Sequence, residues 1–415
     1  MTDSADSFGG TTSHAVLMDE LSDWLMDQAI VESNLTDLFE GCNKRLYAAG
    51  IPVSRSLIGY STLHPLYQSR TILWNRGSGA VPSPHVHRDT PNPDWLNSPL
   101  YYMINNRVFF MRRRLTGPDA ILDFPLLSEL RELGHSDYLG YCIQFDHDIN
   151  NQNVGSGVIG SWVSDRPGGF SDSDMHALRR VERQLAVAAK VRIKDEVASN
   201  ILSAYLGPDA GQKVLDGQIK LGDGEMIPAI IWYSDLRKST HLAEQLGPQR
   251  FLELLNRYFE CTAGAVLDNG GEVLRFVGDA VLAIFPLRSK RSVRRAGRRL
   301  VDAIHESNRR KQQLRKDGWP IDFGIGVHSG EVLYGNIGVP SRLEFSVIGT
   351  TANEVARIED LTKKAKCPVL ISSELEKLLE CELHKVGSFS ARGVGRNIDV
   401  YTLPELAPAA RRKKG

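Results

Sequence analysis

The sequence predicts an α/β (α+β) protein of two domains joined by a long helix, with a ferredoxin-like split-βαβ domain at the C-terminal end and an α/β domain before it. Three observations carry this. The 415 residues exceed a usual single domain and let each half bury its own core. In the second half strand-length apolar runs alternate with helical stretches, and a hairpin pattern, "GEVLRFVGDAVLAIFP", stands between two helical ones. Between the halves, "FSDSDMHALRRVERQLAVAAKVRIKDEVASNILSAYLG" runs from Phe170 to Leu206 without a glycine or proline.

Taken in order, "DELSDWLMDQAIVESNLTDLFEGCNKRLYAAG" places Leu21, Trp24, Leu25, Ile30, Leu35, Leu38 and Phe39 at helical spacing and predicts one helix that stops at Gly50. The strand-like pieces "SRSLIGYSTLH", "SRTILWNR", "RVFFMRRRL", "YLGYCIQF" and "GVIGSWVSD" follow. Among them "GSGAVPSPHVHRDTPNPDWLNSP" is too long for a tight turn and reads as a lid or insertion. The linking helix, residues 174–206 with Ser171 or Ser173 as its N-cap, repeats Leu178, Val181, Leu185, Ala188 and Val191 at spacings of three and four. That seam serves either packing on its own domain or a parallel dimer. Beyond Gly207 the order is strand "AIIWYSD", helix "STHLAEQLGPQRFLELLNRYFECTAGAVLDNG", the hairpin, helix "SVRRAGRRLVDAIHESNRRKQQLRKDG", strand "IDFGIGVHSGEVLYGNIG", strand and helix "FSVIGTTANEVARIEDLTKKA", strand "PVLISS", and a hairpin ending in "DVYTL". The tail, residues 406–415, is basic and reads as a disordered end.

Fifty basic and fifty acidic side chains cancel, so no global field favours nucleic acid, and recognition of phosphate must be local. The polar start "MTDSADSFGGTTSH" lacks a secretory pattern, and no apolar run approaches the roughly 20 residues a membrane span needs, so a cytoplasmic protein without a transmembrane segment is expected. Five scattered cysteines, Cys42, Cys142, Cys261, Cys367 and Cys381, have no metal-ligand spacing and read as packing residues.

Two aspartates end comparable segments: Asp235 follows "AIIWY" and precedes "LRKST", and Asp279 lies in the hairpin. Carboxylates at two neighbouring strand tips can hold hard cations, and Mg²⁺ typically takes one or two carboxylates together with substrate phosphates. The helix start at Ser239 and Thr240 adds free N–H groups and hydroxyls, an anion site. Innocent readings stand beside these, an N-cap for Asp235 and a turn glycine for Gly278.

"IIWYSDLRKST", "GGEVLRFVGDAVLAIF", "GIGVHSGEVLYGNIG" and "EFSVIGTTANEVARIE" resemble, in order and spacing, the motifs of the class III adenylate/guanylate cyclase catalytic domain, over residues 222–405. The resemblance implies that Asp235 and Asp279, with the backbone carbonyl of Leu236, bind two Mg²⁺ (or Mn²⁺) ions per site. It implies that Asn353 and Arg357 position the ribose and stabilise charge on the reacting phosphate. Arg275 and Thr350 occupy the positions that read the base, and Arg392, in "SARGVG", falls where the family often places a cation for the terminal phosphates. The implied activity is conversion of ATP to 3′,5′-cyclic AMP and pyrophosphate at the interface of a homodimer, because one chain carries both halves of the site. His241 and His328 read as surface or packing residues.

Three departures from the family pattern stand out. Arg275 replaces the lysine usual in adenylate cyclases and leaves GTP as an alternative substrate; Thr351 beside Thr350 permits a one-residue slip. Gly324 stands where many relatives place an arginine for the triphosphate, a role open to Arg392 or Arg237. Ser239 replaces the usual aromatic. A catalytically silent nucleotide-binding sensor is the further alternative. Residues 15–195 resemble a GAF-type sensory domain, most closely in "GVIGSWVSDRPGGFSDSDMHALRRVERQLAVAA", which implies regulation by a small-molecule or other signal. His85 and His87 read as solvent-facing.

Overall fold

The structure, a computed structural model, describes residues 8–31, 33–145, 157–287, 289–390 and 397–408. It divides into two compact units, Met1–Ala204 and Tyr205–Gly415.

The first unit opens with helices α1 (Phe8–Ile30) and α2 (Leu35–Ala48). The single helix expected here is two, because Asn34 takes an extended conformation and its side chain accepts from the Asp37 N–H, capping α2. Strands β1 (Val53–Ser61), β2 (Tyr67–Asn75) and β3 (Gly79–Val86) follow, then helices α3 (Pro93–Leu96) and α4 (Pro99–Asn105), strand β4 (Phe110–Arg114), helix α5 (Pro125–Glu132), strands β5 (Asp137–Gln144) and β6 (Gly157–Ser164), and helix α6 (Asp172–Leu206). The six strands form one sheet in the order β3-β2-β1-β6-β5-β4, antiparallel throughout.

Strand β3 and helix α3 correct the lid expectation for residues 77–99. Pro82 and Pro84 disguise the strand, yet an edge strand tolerates proline because one side of it needs no ladder hydrogen bonds. His85 is bonded to Thr71 at 2.9 Å, and His87 to the His64 carbonyl at 2.9 Å. Of the cysteines, Cys42, Cys261 and Cys367 are buried; Cys381 is exposed, so the packing reading fails there.

Ser171 is the N-cap of α6: its hydroxyl accepts from the Asp174 N–H while the Asp174 carboxylate accepts from the Ser171 N–H at 2.7 Å, a reciprocal box. Leu178, Val181, Leu185 and Ala188 are buried in the core of the first unit with Leu21, Leu25, Phe39 and Trp162, whereas Val191 is exposed. The seam is therefore used for packing within the unit as far as Ile193, and none of residues 194–204 is buried.

The second unit continues with helix α7 (Pro208–Leu215), strand β7 (Gly224–Leu236) and helix α8 (Ser239–Phe259), then a π-helical turn (Glu260–Gly264) and helix α9 (Ala265–Asp268). Next come the hairpin β8 (Glu272–Val277) and β9 (Ala280–Pro286), helix α10 (Lys290–Lys316), strands β10 (Phe323–Val339) and β11 (Arg342–Ile348), and helix α11 (Thr350–Ala365). Strand β12 (Val369–Ser372), helix α12 (Ser373–Glu376), strands β13 (His384–Ser390) and β14 (Asn397–Thr402), and a 3-10 turn (Pro404–Leu406) complete it. The long helix expected after Asp235 is interrupted at Gly247, whose φ of +72° breaks the helical run ahead of Pro248. Proline has no N–H to donate, and it pushes the preceding residue out of the helical region.

The sheet order is β13-β14-β12-β10-β7-β9-β8, with β11 added along β10. Among the described residues only β10 and β12 of this sheet run parallel, joined through β11 and α11. Strand β7 lies inside the sheet between β10 and β9, with Ile230 and Trp232 in the core on one face and Ala229 and Ile231 in the core on the other. Leu406 packs against the first of these cores, so the expected disordered tail does not begin there; residues 409–415 lie outside the described residues.

Candidate active site

Asp235 sits near the end of β7, flanked in register by Ala280 of β9 and Gly324 of β10. Asp279 occupies the tight turn between β8 and β9. Gly278 before it has φ of +62°, a left-handed turn conformation that glycine adopts without a Cβ clash. The turn reading of Gly278 is thus correct, and it is what presents Asp279 at the end of β7. The Leu236 N–H reaches the Asp279 carbonyl at 3.4 Å, and the Leu236 side chain is buried, which anchors the turn.

The paired carboxylates are electrostatically strained. Burial raises the pKa of Asp235, the Asp279 charge raises it further, and Lys363 works against both. Lys363, on α11, places Nζ 3.4 Å from Asp235 Oδ2 and from Asp360 Oδ1, and 3.9 Å from Glu359. Burial lowers the Lys363 pKa, but Glu359, Asp235 and Asp360 outweigh it, and the net shift is upward. Glu359 is pushed up to about 7, chiefly by burial. Two adjacent carboxylates that favour a neighbouring cation, with a backbone turn between them, have the donor chemistry of a divalent metal site. The residues present fit such a group.

Behind Asp235 the chain turns through Lys238, in the left-handed region at φ +58°, into α8 at Ser239. Among the described residues no side-chain cap bond closes this helix, which leaves its first-turn N–H groups without a side-chain partner beside Ser239 and the exposed Thr240. Arg237 is directed elsewhere: Nη2 donates to Thr362 at 3.2 Å and Nε lies 3.8 Å from Asp322. These contacts hold it beside Thr362 and Asp322. Gly324 has a packing reason, since a Cβ there would stand 2.3 Å from Glu359 Oε1 and 2.4 Å from Thr362 Oγ1. Arg392 lies outside the described residues.

Helix α11 begins at Thr350 and carries Asn353 and Arg357 one turn apart on one face. Thr350 is exposed, whereas the Thr351 hydroxyl donates to the Glu331 carbonyl at 2.7 Å and is buried, so the one-residue slip would ask a spent side chain to read a base. Among the described residues no hydrogen bond or ion pair joins Thr350, Asn353 or Arg357 to Asp235 or Asp279. The helical rise explains this: Arg357 is about 9 Å, and Asn353 about 15 Å, along the axis from Lys363, which marks where α11 meets Asp235. One chain therefore brings the carboxylate pair and the phosphate turn together and leaves the Asn353 and Arg357 pair apart from them.

Arg275, on β8, is half-exposed, and its Nε meets Glu344 Oε1 of β11 at 2.9 Å. Neither Glu344 nor Lys363 was legible as a partner, because each pairing joins residues far apart in the chain; the one local hint was the four-residue spacing of Glu359 and Lys363. His241 is exposed. His328 is buried, bonded to Ser372 at 2.8 Å and 3.1 Å from the Glu354 carboxylate.

Residues 225–404 match the family model for the adenylate and guanylate cyclase catalytic domain. An adenylate cyclase of Anabaena cylindrica is 32% identical over 184 residues, 44% of this chain and 36% of that protein. A terminal-differentiation-specific adenylate cyclase of Dictyostelium discoideum is 26% identical over 195 residues, 44% of this chain and 9% of that protein. Among solved structures, a bacterial light-regulated adenylyl cyclase aligns with a TM-score of 0.38 at 28% identity, covering 44% of this chain and 93% of that one. The chain thus spans about a third or less of the length of these two curated relatives.

Proposed function

We propose that this chain, in which residues 225–404 are an adenylate and guanylate cyclase catalytic domain, converts ATP to 3′,5′-cyclic AMP and pyrophosphate at a site shared by two copies. The observation that carries the reading is the split just described, with Asp235 and Asp279 paired at one place on the chain and Asn353 and Arg357 held apart from them. A second copy completes the set. A surface for it exists: Met226, Leu333 and Ile348 are direct cross-strand neighbours on β7, β10 and β11, and all three are exposed.

Asp235, Asp279 and the Leu236 carbonyl would hold two Mg²⁺ or Mn²⁺ ions. When bound, these supply Lewis acidity toward the ribose 3′-hydroxyl and charge neutralisation for the triphosphate. The N–H groups at the start of α8, with Ser239 and Thr240, bind phosphate oxygens, and Arg392 joins them. Asn353 of the other copy holds the ribose while Arg275 and Thr350 read the base. The 3′-oxygen attacks the α-phosphorus in line, its proton leaves to solvent, and the bond to pyrophosphate breaks. Arg357 meets the charge that builds on the phosphoryl oxygens through a planar fork. No side-chain nucleophile is needed.

Purified protein should form cyclic AMP from Mg- or Mn-ATP, and Asp279→Ala and Arg357→Ala should each abolish it; full turnover in either variant would sink the site assignment. A second reading, GTP as substrate, is favoured by one observation, the Glu344 carboxylate beside Arg275, which supplies an acceptor for guanine N–H groups where a guanidinium alone cannot. ATP and GTP competing in one assay decide between them. The first unit is proposed as a GAF-like sensory domain that responds to a small molecule or another signal.

A further inference from the structure

The N-terminal half of α10, closed by a Ser289–Ser292 capping box, carries a charge pattern that works against helix stability. Arg291, Arg294, Arg295, Arg298 and Arg299 are all exposed, and their spacings of three and four stack like charges on neighbouring turns, which destabilises a helix. They also occupy the end where the helix dipole is positive, and the first turn holds no acidic residue. Among the described residues one carboxylate answers them: Glu380 accepts from Arg294 Nε at 2.6 Å and lies 3.9 Å from Arg298 Nη2. Arg291 and Arg295 have no ion pair among the described residues.

Arg291, Arg294, Arg295 and Arg298, with Glu380, line a cleft of about 600 Å³ to which Val293 and Leu378 add apolar surface. Gly297 brings the two walls together, since a Cβ there would sit 3.1 Å from Leu379. In a chain of net charge zero, this concentration of guanidinium groups is a local field with no partner of matching size among the described residues.

We propose that the cleft binds a polyphosphorylated small molecule, free or as a lipid headgroup. Arg291 and Arg298 stand about 10 Å apart along the helix axis, a span that a single phosphate does not cover and several phosphates on a small carbon skeleton do. Guanidinium forks match phosphate oxygens in pairs, and Val293 and Leu378 accommodate the skeleton between them. None of these residues belongs to the proposed catalytic site, so the inference stands apart from that reading.

The test uses the full chain, with free inositol hexakisphosphate in one arm and phosphatidylcholine vesicles with or without phosphatidylinositol phosphates in the other. Wild type should bind in at least one arm, and the quadruple variant Arg291→Gln, Arg294→Gln, Arg295→Gln, Arg298→Gln should bind about tenfold more weakly or worse. Binding in the vesicle arm alone identifies the lipid source, and binding of the free anion alone the soluble one. The control pair Arg309→Gln with Lys316→Gln, on the same helix outside the cleft, should bind like wild type. Because glutamine removes like-charge repulsion, the quadruple variant should melt no lower than wild type. Should it fail to fold, Arg291→Gln with Arg295→Gln carries the same comparison. Absence of binding in both arms, or equal binding by wild type and variant, overturns the proposal.

Discussion

Glu359 is pushed up to about 7 from an ordinary value of 4.5, chiefly by burial, so the folded protein holds its proton more tightly than the unfolded chain does. The sign follows: its contribution to stability is full below 4.5 and is lost as pH rises through about 7, on the order of 3 kcal/mol across that window. Glutamine keeps the shape and the acceptor for Thr362 without the charge. Glu359→Gln should therefore raise the thermal midpoint above pH 7 and change it little on the acid side; an equal shift at both ends of a pH series would contradict this cause. The raised Asp235 pKa has the same sign, so added Mg²⁺ should raise the midpoint of wild type at neutral pH and not that of Asp235→Asn. At the position proposed to read the base, Glu344 holds Arg275 by its Nε. Glu344→Gln should change the ratio of ATP to GTP turnover several-fold while leaving the Mg²⁺-induced stabilisation intact, since it touches neither aspartate. An unchanged ratio would mean that Arg275 acts without its partner.

At the scale of elements, α6 shows what a cap and a seam do for one helix. Ser171 closes a reciprocal box with Asp174, and Ser171→Ala should cost about 1 kcal/mol. Leu185 is fully enclosed in the core of the first unit, and Leu185→Ala should cost about 2–5 kcal/mol, both read from denaturant midpoints. Equal small losses would mean that the seam is not packed as described. The seam, the hairpin around Gly278 and the order of strands and helices in the second unit were legible because period and turn chemistry are local properties. Asn34, Gly247 and the prolines of β3 were not read correctly, since each depends on how a competing local preference is settled by packing. Asp235 and Asp279 were legible as neighbouring carboxylates, one at a strand end and one in a hairpin turn. Glu344 beside Arg275, and Lys363 beside Asp235, needed the pairing of β8, β10 and β11 and the placement of α11 across the sheet.

For the whole molecule, the division of site residues within one chain makes a quantitative demand. If Asp235 and Asp279 of one copy work with Asn353 and Arg357 of another, an Asp279→Ala chain keeps a sound Arg357 and an Arg357→Ala chain keeps a sound carboxylate pair. Each variant alone has two broken sites. In an equal mixture allowed to exchange, about half of the dimers are mixed, and one of the two sites in each is intact, so about a quarter of wild-type activity should return. A site contained in one chain gives no recovery at any mixing ratio, and the assay separates the two arrangements without knowledge of the substrate base. The same mixing can be repeated with residues 205–415 alone, the second compact unit. If the first unit and the continuous helix α6 favour association, the shortened chains should need a higher concentration to reach the same recovery, and recovery at the same concentration would show that residues 1–204 contribute nothing to pairing.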